Sequence, residues 1–332
     1  VLLPTASGSP VASTDLGFVL PHEHIFTLSP EINQNFPATW GDEDTRIAAA
    51  VDKLVAAKNA GVDTIVDLTV IGLGRFIPRI QRVAAEVDIN ILVATGVYAW
   101  SSLPMHFAIT GPGTTFGGPE FIDDLLVREI EDGIADTGIR PAVLKCAIGP
   151  PGPNADVTRV LRATASAHRR TGVPIVVHTH EIPNAVDAQR ILEAEGVDLS
   201  RVMLSHLDGV LLHDEDLDYV ESLVDRGSWI AVDQIGIPWV EDADEKRMDA
   251  IAELVRRGHS DRILLSHDSH AFSDMVPAAM LSGELAPNWK YTTVAEIIVP
   301  GLRERGVSDE AISTMTRDNP RRLLETTGAG PY

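Results

Sequence analysis

Eight short apolar, β-branched runs alternate with amphipathic stretches along this 332-residue chain, and that alternation restricts the fold more than any other feature. The runs are Phe18–Leu20, Thr64–Leu68, Ile91–Thr95, Ala142–Ala147, Ile175–His178, Val202–His206, Trp229–Asp233 and Ile263–Ser266. Such runs predict strands buried on both faces, as parallel sheets require. Between them, Asp44–Ala60 sets Ile47, Val51, Leu54 and Val55 on one helical face and stops at Gly61. Val157–Thr171, Val186–Glu195, Asp214–Arg226 and Asp244–Arg257 stop at Gly172, Gly196, Gly227 and Gly258, where a helix is expected to end. Repeated β-then-α units predict an α/β fold, a (β/α)8 TIM barrel, rather than an open doubly wound sheet. No Gly-rich dinucleotide fingerprint follows the first run. Without a linker or composition shift, residues 1–332 are expected to form one domain, with 1–15 as a lead-in.

Composition narrows the partners. The chain is 44% hydrophobic and 23% charged, with a net charge of −21 from 27 basic and 48 acidic residues. That charge repels polyanions, so neither nucleic acid nor an anionic membrane is an expected partner; its simplest role is solubility. No run is long enough to span a bilayer. The start, Val1-Leu2-Leu3-Pro4, has neither the basic nor the long apolar segment of a secretory signal. The single cysteine, Cys146, excludes an intrachain disulfide framework and leads to the expectation of a cytoplasmic location.

The irregular segments are unevenly placed. Phe26–Gly41, Ala99–Gly118, Ile235–Asp242 and Ser269–Thr293 all follow predicted strands, whereas the returns from helix to strand are brief. In a barrel the loops after strands gather on the C-terminal face, where active sites lie.

The ends of the runs carry the chemistry. His22-Glu23-His24 ends the first run, and alternate strand residues share a face, so both imidazoles can reach one ion. Lys145 sits inside the fourth run, His178 ends the fifth (with His180 on the same face), His206 the sixth, and His267-Asp268 follow the eighth. Each alone has an ordinary explanation: a strand-end histidine bonded to a loop, or a buried lysine paired with an acid. Their agreement on one rim points to a metal site.

These residues resemble the amidohydrolase superfamily. Gly17-Phe18, His22-Glu23-His24, Thr64–Asp67, Gly72-Leu73-Gly74-Arg75, Thr95-Gly96 with Tyr98, Leu204-Ser205-His206-Leu207 and Ser266-His267-Asp268 further resemble the phosphotriesterase family, most nearly its lactonases, from about Leu16 to Leu324. The resemblance implies a binuclear metal centre. His22, His24 and Asp268 would hold a buried ion, His178 and His206 a more exposed one, and Lys145 would bridge them as a carbamate formed with carbon dioxide. Zinc is the expected metal, with iron, cobalt or manganese as alternatives. Unmodified lysine is cationic below a pKa of ~10.4 and cannot ligate, whereas its carbamate is an anion with two oxygen donors.

The implied activity is hydrolysis of N-acyl-homoserine lactones and related lactones, with weak phosphotriesterase activity as a side reaction. A true aryldialkylphosphatase, or a hydrolase of cyclic amides or other esters, is the alternative. Asp268 would orient the attacking hydroxide and pass its proton to the departing alkoxide. Tyr98 would lie beside the exposed ion and the substrate, unless it is an interior ring. Gln234, where relatives often carry arginine, Met275, Met280 and Trp289 are the candidate substrate contacts. The apolar stretch Met275–Leu281 lies within 269–293, the expected substrate-mouth loop. It would form a pocket wall, a short helix packed on the barrel, or part of a subunit contact. The resemblance also implies a homodimer.

Overall fold

The computed structural model describes residues 1–150, 152–179, 182–214 and 216–325. A small antiparallel pair, β1 (Leu2–Leu3) and β2 (Val11–Ala12), precedes the barrel. Parallel strands then follow in chain order: β3 (Val19–Thr27), β4 (Thr64–Asp67), β5 (Asn90–Gly96), β6 (Val143–Ile148), β7 (Ile175–Thr179), β8 (Val202–Ser205), β9 (Trp229–Val232) and β10 (Ile263–Leu265). Each pairs with its sequence neighbour from β3 to β10. A further strand, β11 (His270–Ser273), continues the path of β10 and pairs in parallel with β3. Asp268 N–H donates to the His22 carbonyl (3.1 Å) and His24 N–H to the Ser269 carbonyl (2.9 Å), joining the last strand path to the first. The α/β TIM-barrel expectation therefore holds.

Several boundaries differ from the sequence expectation. The first strand runs through Thr27 rather than stopping at Leu20, because its polar residues His22, Glu23, His24 and Thr27 are all buried. An apolar-run criterion ends at the first polar residue and misses a strand whose polar half lines a site. The segment 269–293 is not loop throughout: it contains β11 and a helix at Ala278–Leu281. The long helices fall close to expectation, at Glu43–Asn59, Ala155–Thr171, Ile182–Ala194, Leu217–Asp225 and Ala243–Arg256. Ala155–Thr171 shows why. Asn154 accepts from Val157 N–H at its start, and Gly172 closes it at φ 77°, a conformation glycine adopts without strain.

The barrel interior is layered. Val143, Val176, Met203, Ala231 and Leu264 belong to one buried apolar cluster. Two residues further along β6 and β7, on the same face, stand Lys145 and His178. Apolar residues thus plug the barrel below, and the polar side chains form its upper layer. Gly96 allows that layer to close: a Cβ there would overlap the Lys145 carbonyl oxygen. Among the described residues no helix is long and apolar enough to cross a membrane.

Candidate metal centre

β3 brings His22 and His24 to Asp268, with His22 Nε2 and His24 Nε2 at 3.4 and 3.2 Å from Asp268 Oδ1. Donors bound at 2.0–2.1 Å in a tetrahedron lie about 3.3–3.4 Å apart, so this spacing fits one ion between them. The other carboxylate oxygen of Asp268 is 3.8 Å from His206 Nε2. His206 Nε2 in turn faces His178 Nδ1 at 2.7 Å. Lys145, fully buried, places Nζ 3.2 Å from His22 Nε2. All six sequence candidates therefore converge at one end of the barrel. His180 lies outside the described residues.

Hydrogen bonds behind the imidazoles free the ligating nitrogens. Asp233 gives one oxygen to His22 Nδ1 (2.6 Å) and the other to His206 Nδ1 (2.9 Å). His24 Nδ1 meets Thr69 Oγ1 at 2.8 Å, and that hydroxyl donates to Asp67 Oδ1 at 2.6 Å. The Thr69 proton is committed, so His24 Nδ1 must carry the hydrogen and Nε2 the lone pair. His22, His206 and Asp233 also have donor atoms spaced for an ion. Because each Asp233 oxygen already takes an imidazole N–H, that trio orients ligands rather than forming a second cage.

Electrostatics favour cation binding. Burial, with Lys145 nearby, pushes His22 down to about 3, and burial likewise holds His24 well below the usual imidazole range. Both are neutral ligands at physiological pH. Burial lowers Lys145 to about 8, and no carboxylate among the described residues is in ion-pair contact with it. Asp268 and Asp233, at longer range, act against that lowering. Burial opposes ionisation of Asp233, but His206 and His22 hold it well below the carboxylate range. His206 is raised: burial pushes it down, and the Asp233 carboxylate outweighs that.

The remaining candidates are placed as follows. Tyr98 Oη lies 3.4 Å from His178 Nε2, and burial together with Asp268 raises its phenol, so the hydroxyl keeps its proton. Gln234 follows Asp233 at the end of β9. Met275 is half-exposed. Met280 packs with Val276 and Leu281 against Ile237, Ala286 and Trp289, and the short-helix expectation is met at Ala278–Leu281. Trp289 is mostly buried, and its indole donates to the His267 carbonyl at 2.8 Å. His267 is packed, not solvent-facing. Its Nε2 accepts from Val294 N–H, and its Nδ1 bonds Glu23 at 2.7 Å.

Sequence reasoning passed over several contributors. Asp233 ends one predicted strand and Asp67 stands one residue before the end of another, and that position was the available signal. Trp100 stands 5.3 Å from the His178 ring and stacks at 6.2 Å on Tyr98. His270 lies 4.9 Å from the His24 ring. Arg247 lies in the Ala243–Arg256 helix, where an arginine gives no sequence sign of being wholly buried.

A parallel barrel with histidines and an aspartate gathered at its C-terminal end is the framework of a metal-dependent hydrolase. The model of the phosphotriesterase family matches residues 3–324. The chain is 47% identical over 327 residues to a phosphotriesterase homology protein of Mycobacterium tuberculosis, covering 98% of each. It is 34% identical over 324 residues to an aryldialkylphosphatase of Saccharolobus solfataricus, covering 97% of this chain and 99% of that one. A solved structure of the phosphotriesterase from Mycobacterium tuberculosis superposes with a TM-score of 0.94, at 46% identity and full coverage of both chains. This chain belongs to the phosphotriesterase family and is a metal-dependent hydrolase.

Proposed function

We propose that the protein is a binuclear lactonase that opens N-acyl-homoserine lactones and related lactones. Its inner ion would be held by His22, His24 and Asp268, its outer ion by His178 and His206, with carbamylated Lys145 bridging them. Two bound divalent ions would polarise the scissile oxygen and supply hydroxide near neutral pH. The buried, proton-retaining hydroxyl of Tyr98 beside His178 carries the reading. A phenol held neutral can donate to a carbonyl oxygen as negative charge develops there.

Asp268 is partly open to solvent, with 17% of its side chain exposed. Its carboxylate accepts the proton of the attacking water and returns it to the ring oxygen as the C–O bond breaks, leaving a hydroxy acid. Asp233 keeps His22 and His206 in one tautomer throughout. The apolar group of Ile237, Met280 and Trp289 excludes water from one side and offers surface to an acyl chain.

Triester hydrolysis is the second reading, favoured by the 34% identity to an aryldialkylphosphatase. Comparing kcat/KM of the metal-loaded protein for an N-acyl-homoserine lactone and an aryl dialkyl phosphate separates the two. Lactone preference of at least about a hundredfold, some 2.7 kcal/mol in transition-state stabilisation, is expected. Triester preference would reverse the assignment.

A further inference from the structure

The segment that follows β9 is fastened at several points. Asp208, wholly buried, accepts at one oxygen from the backbone N–H groups of Asp233 (2.9 Å) and Gln234 (3.2 Å). Its other oxygen accepts from Arg247 Nε at 2.7 Å. Arg247 donates onward to Asp244 Oδ1 at 2.7 Å and the Ile237 carbonyl at 3.1 Å. Asp244 Oδ1 also accepts the Gly236 N–H at 2.9 Å. The backbone from Asp233 to Ile237 therefore has little freedom.

On this fixed backbone, the Trp239 indole N–H donates to Gln234 Oε1 at 2.9 Å. An indole nitrogen donates and never accepts. The carboxamide oxygen must then face Trp239, and the amide nitrogen must face away from it. That nitrogen has no partner among the described residues. Gln234 leaves the strand one residue beyond Asp233, whose carboxylate touches both His22 and His206. The amide N–H pair of this partly exposed side chain is thus left for solvent or a ligand, two residues past the end of β9 and next in sequence to the carboxylate that orients His22 and His206.

We infer that Trp239 is a positioning residue that aims the Gln234 NH2 at the exocyclic amide carbonyl of an N-acyl lactone. This rests on the lactonase reading and deepens it. Such a substrate has two carbonyls: the ring carbonyl is the one attacked, and the exocyclic amide carbonyl needs a separate donor. Glutamine would rotate freely if unpinned; the indole removes that rotation before substrate arrives.

The test compares an N-acyl-homoserine lactone with a simple alkyl lactone, which lacks the amide carbonyl. Trp239→Phe keeps the aromatic ring and removes the N–H. The ratio of the two KM values should rise about three- to tenfold, the range of one hydrogen bond, with the change in KM rather than kcat. Gln234→Leu should raise the same ratio, and the double variant should add little to Gln234→Leu alone, as residues acting through one contact do. An equal KM change for both lactones, or fully additive effects, overturns the inference while leaving the lactonase reading intact. A wild-type protein that turns over neither lactone overturns both.

Discussion

Asp233 Oδ2 lies 2.6 Å from His22 Nδ1, while its other oxygen holds His206 Nδ1 at 2.9 Å. One buried carboxylate thus sets the tautomer of a histidine in each half of the centre. In Asp233→Asn an amide NH2 faces one of those imidazole N–H groups. Loss of such an orienting partner typically costs 10–100-fold in metal affinity. Competition with a chelator should show a drop of about that size, with far-ultraviolet circular dichroism unchanged.

Metal loading should rise with pH. Two protons compete with the ions: one on Lys145, lowered to about 8 by burial, and one on His206, raised despite burial by Asp233. Both leave as pH increases, and only neutral lysine reacts with carbon dioxide. Below about 8 the neutral amine, and with it the initial rate of reconstitution, falls roughly tenfold per pH unit. A time course of activity recovery in zinc under one fixed carbon dioxide pressure at pH 6.5, 7.5 and 8.5 checks this.

Glu23, between the two metal-site histidines, closes the barrel. Its carboxylate accepts from Ser266 Oγ (2.8 Å), His267 N–H (3.0 Å), His267 Nδ1 (2.7 Å) and Ser269 N–H (2.8 Å). Glu23→Ala leaves these buried donors unpaired, which costs about 1–3 kcal/mol for each group left unsatisfied. Denaturant unfolding should show a loss of about 3 kcal/mol or more, or a failure to express as soluble protein.

The Arg247–Asp208 pair is fully buried. Arg247→Met should destabilise the protein by about 3–5 kcal/mol, because it strands the Asp208 charge. Arg247→Met with Asp208→Asn should recover part of that loss. Unfolding midpoints of the two variants provide the comparison.

What the sequence disclosed follows from the range of each interaction. Strand alternation is local, so His22, His24, Lys145, His178, His206 and Asp268 could be set on one rim before any contact was known. Asp233 was visible as a strand-end acid, but its two imidazoles come from β3 and the end of β8, far away in the chain. Arg247 occupies a helix position that suits a surface cation. Only the fold shows that Asp208 and the Ile237 carbonyl surround it. The end of β3 was hidden because His22, Glu23 and His24 interrupt the hydrophobic pattern, and β11 because its four residues, His270–Ser273, are too few and too mixed to form an apolar run.

The account rests on two ions assembled around Lys145. The direct measurement is elemental analysis of the protein after reconstitution with zinc and bicarbonate, beside Lys145→Ala treated identically. Two zinc ions per chain are predicted for the wild type, with a clear loss in the variant that a short-chain carboxylic acid partly restores. One ion or fewer in the wild type, or equal zinc content in both proteins, would contradict it.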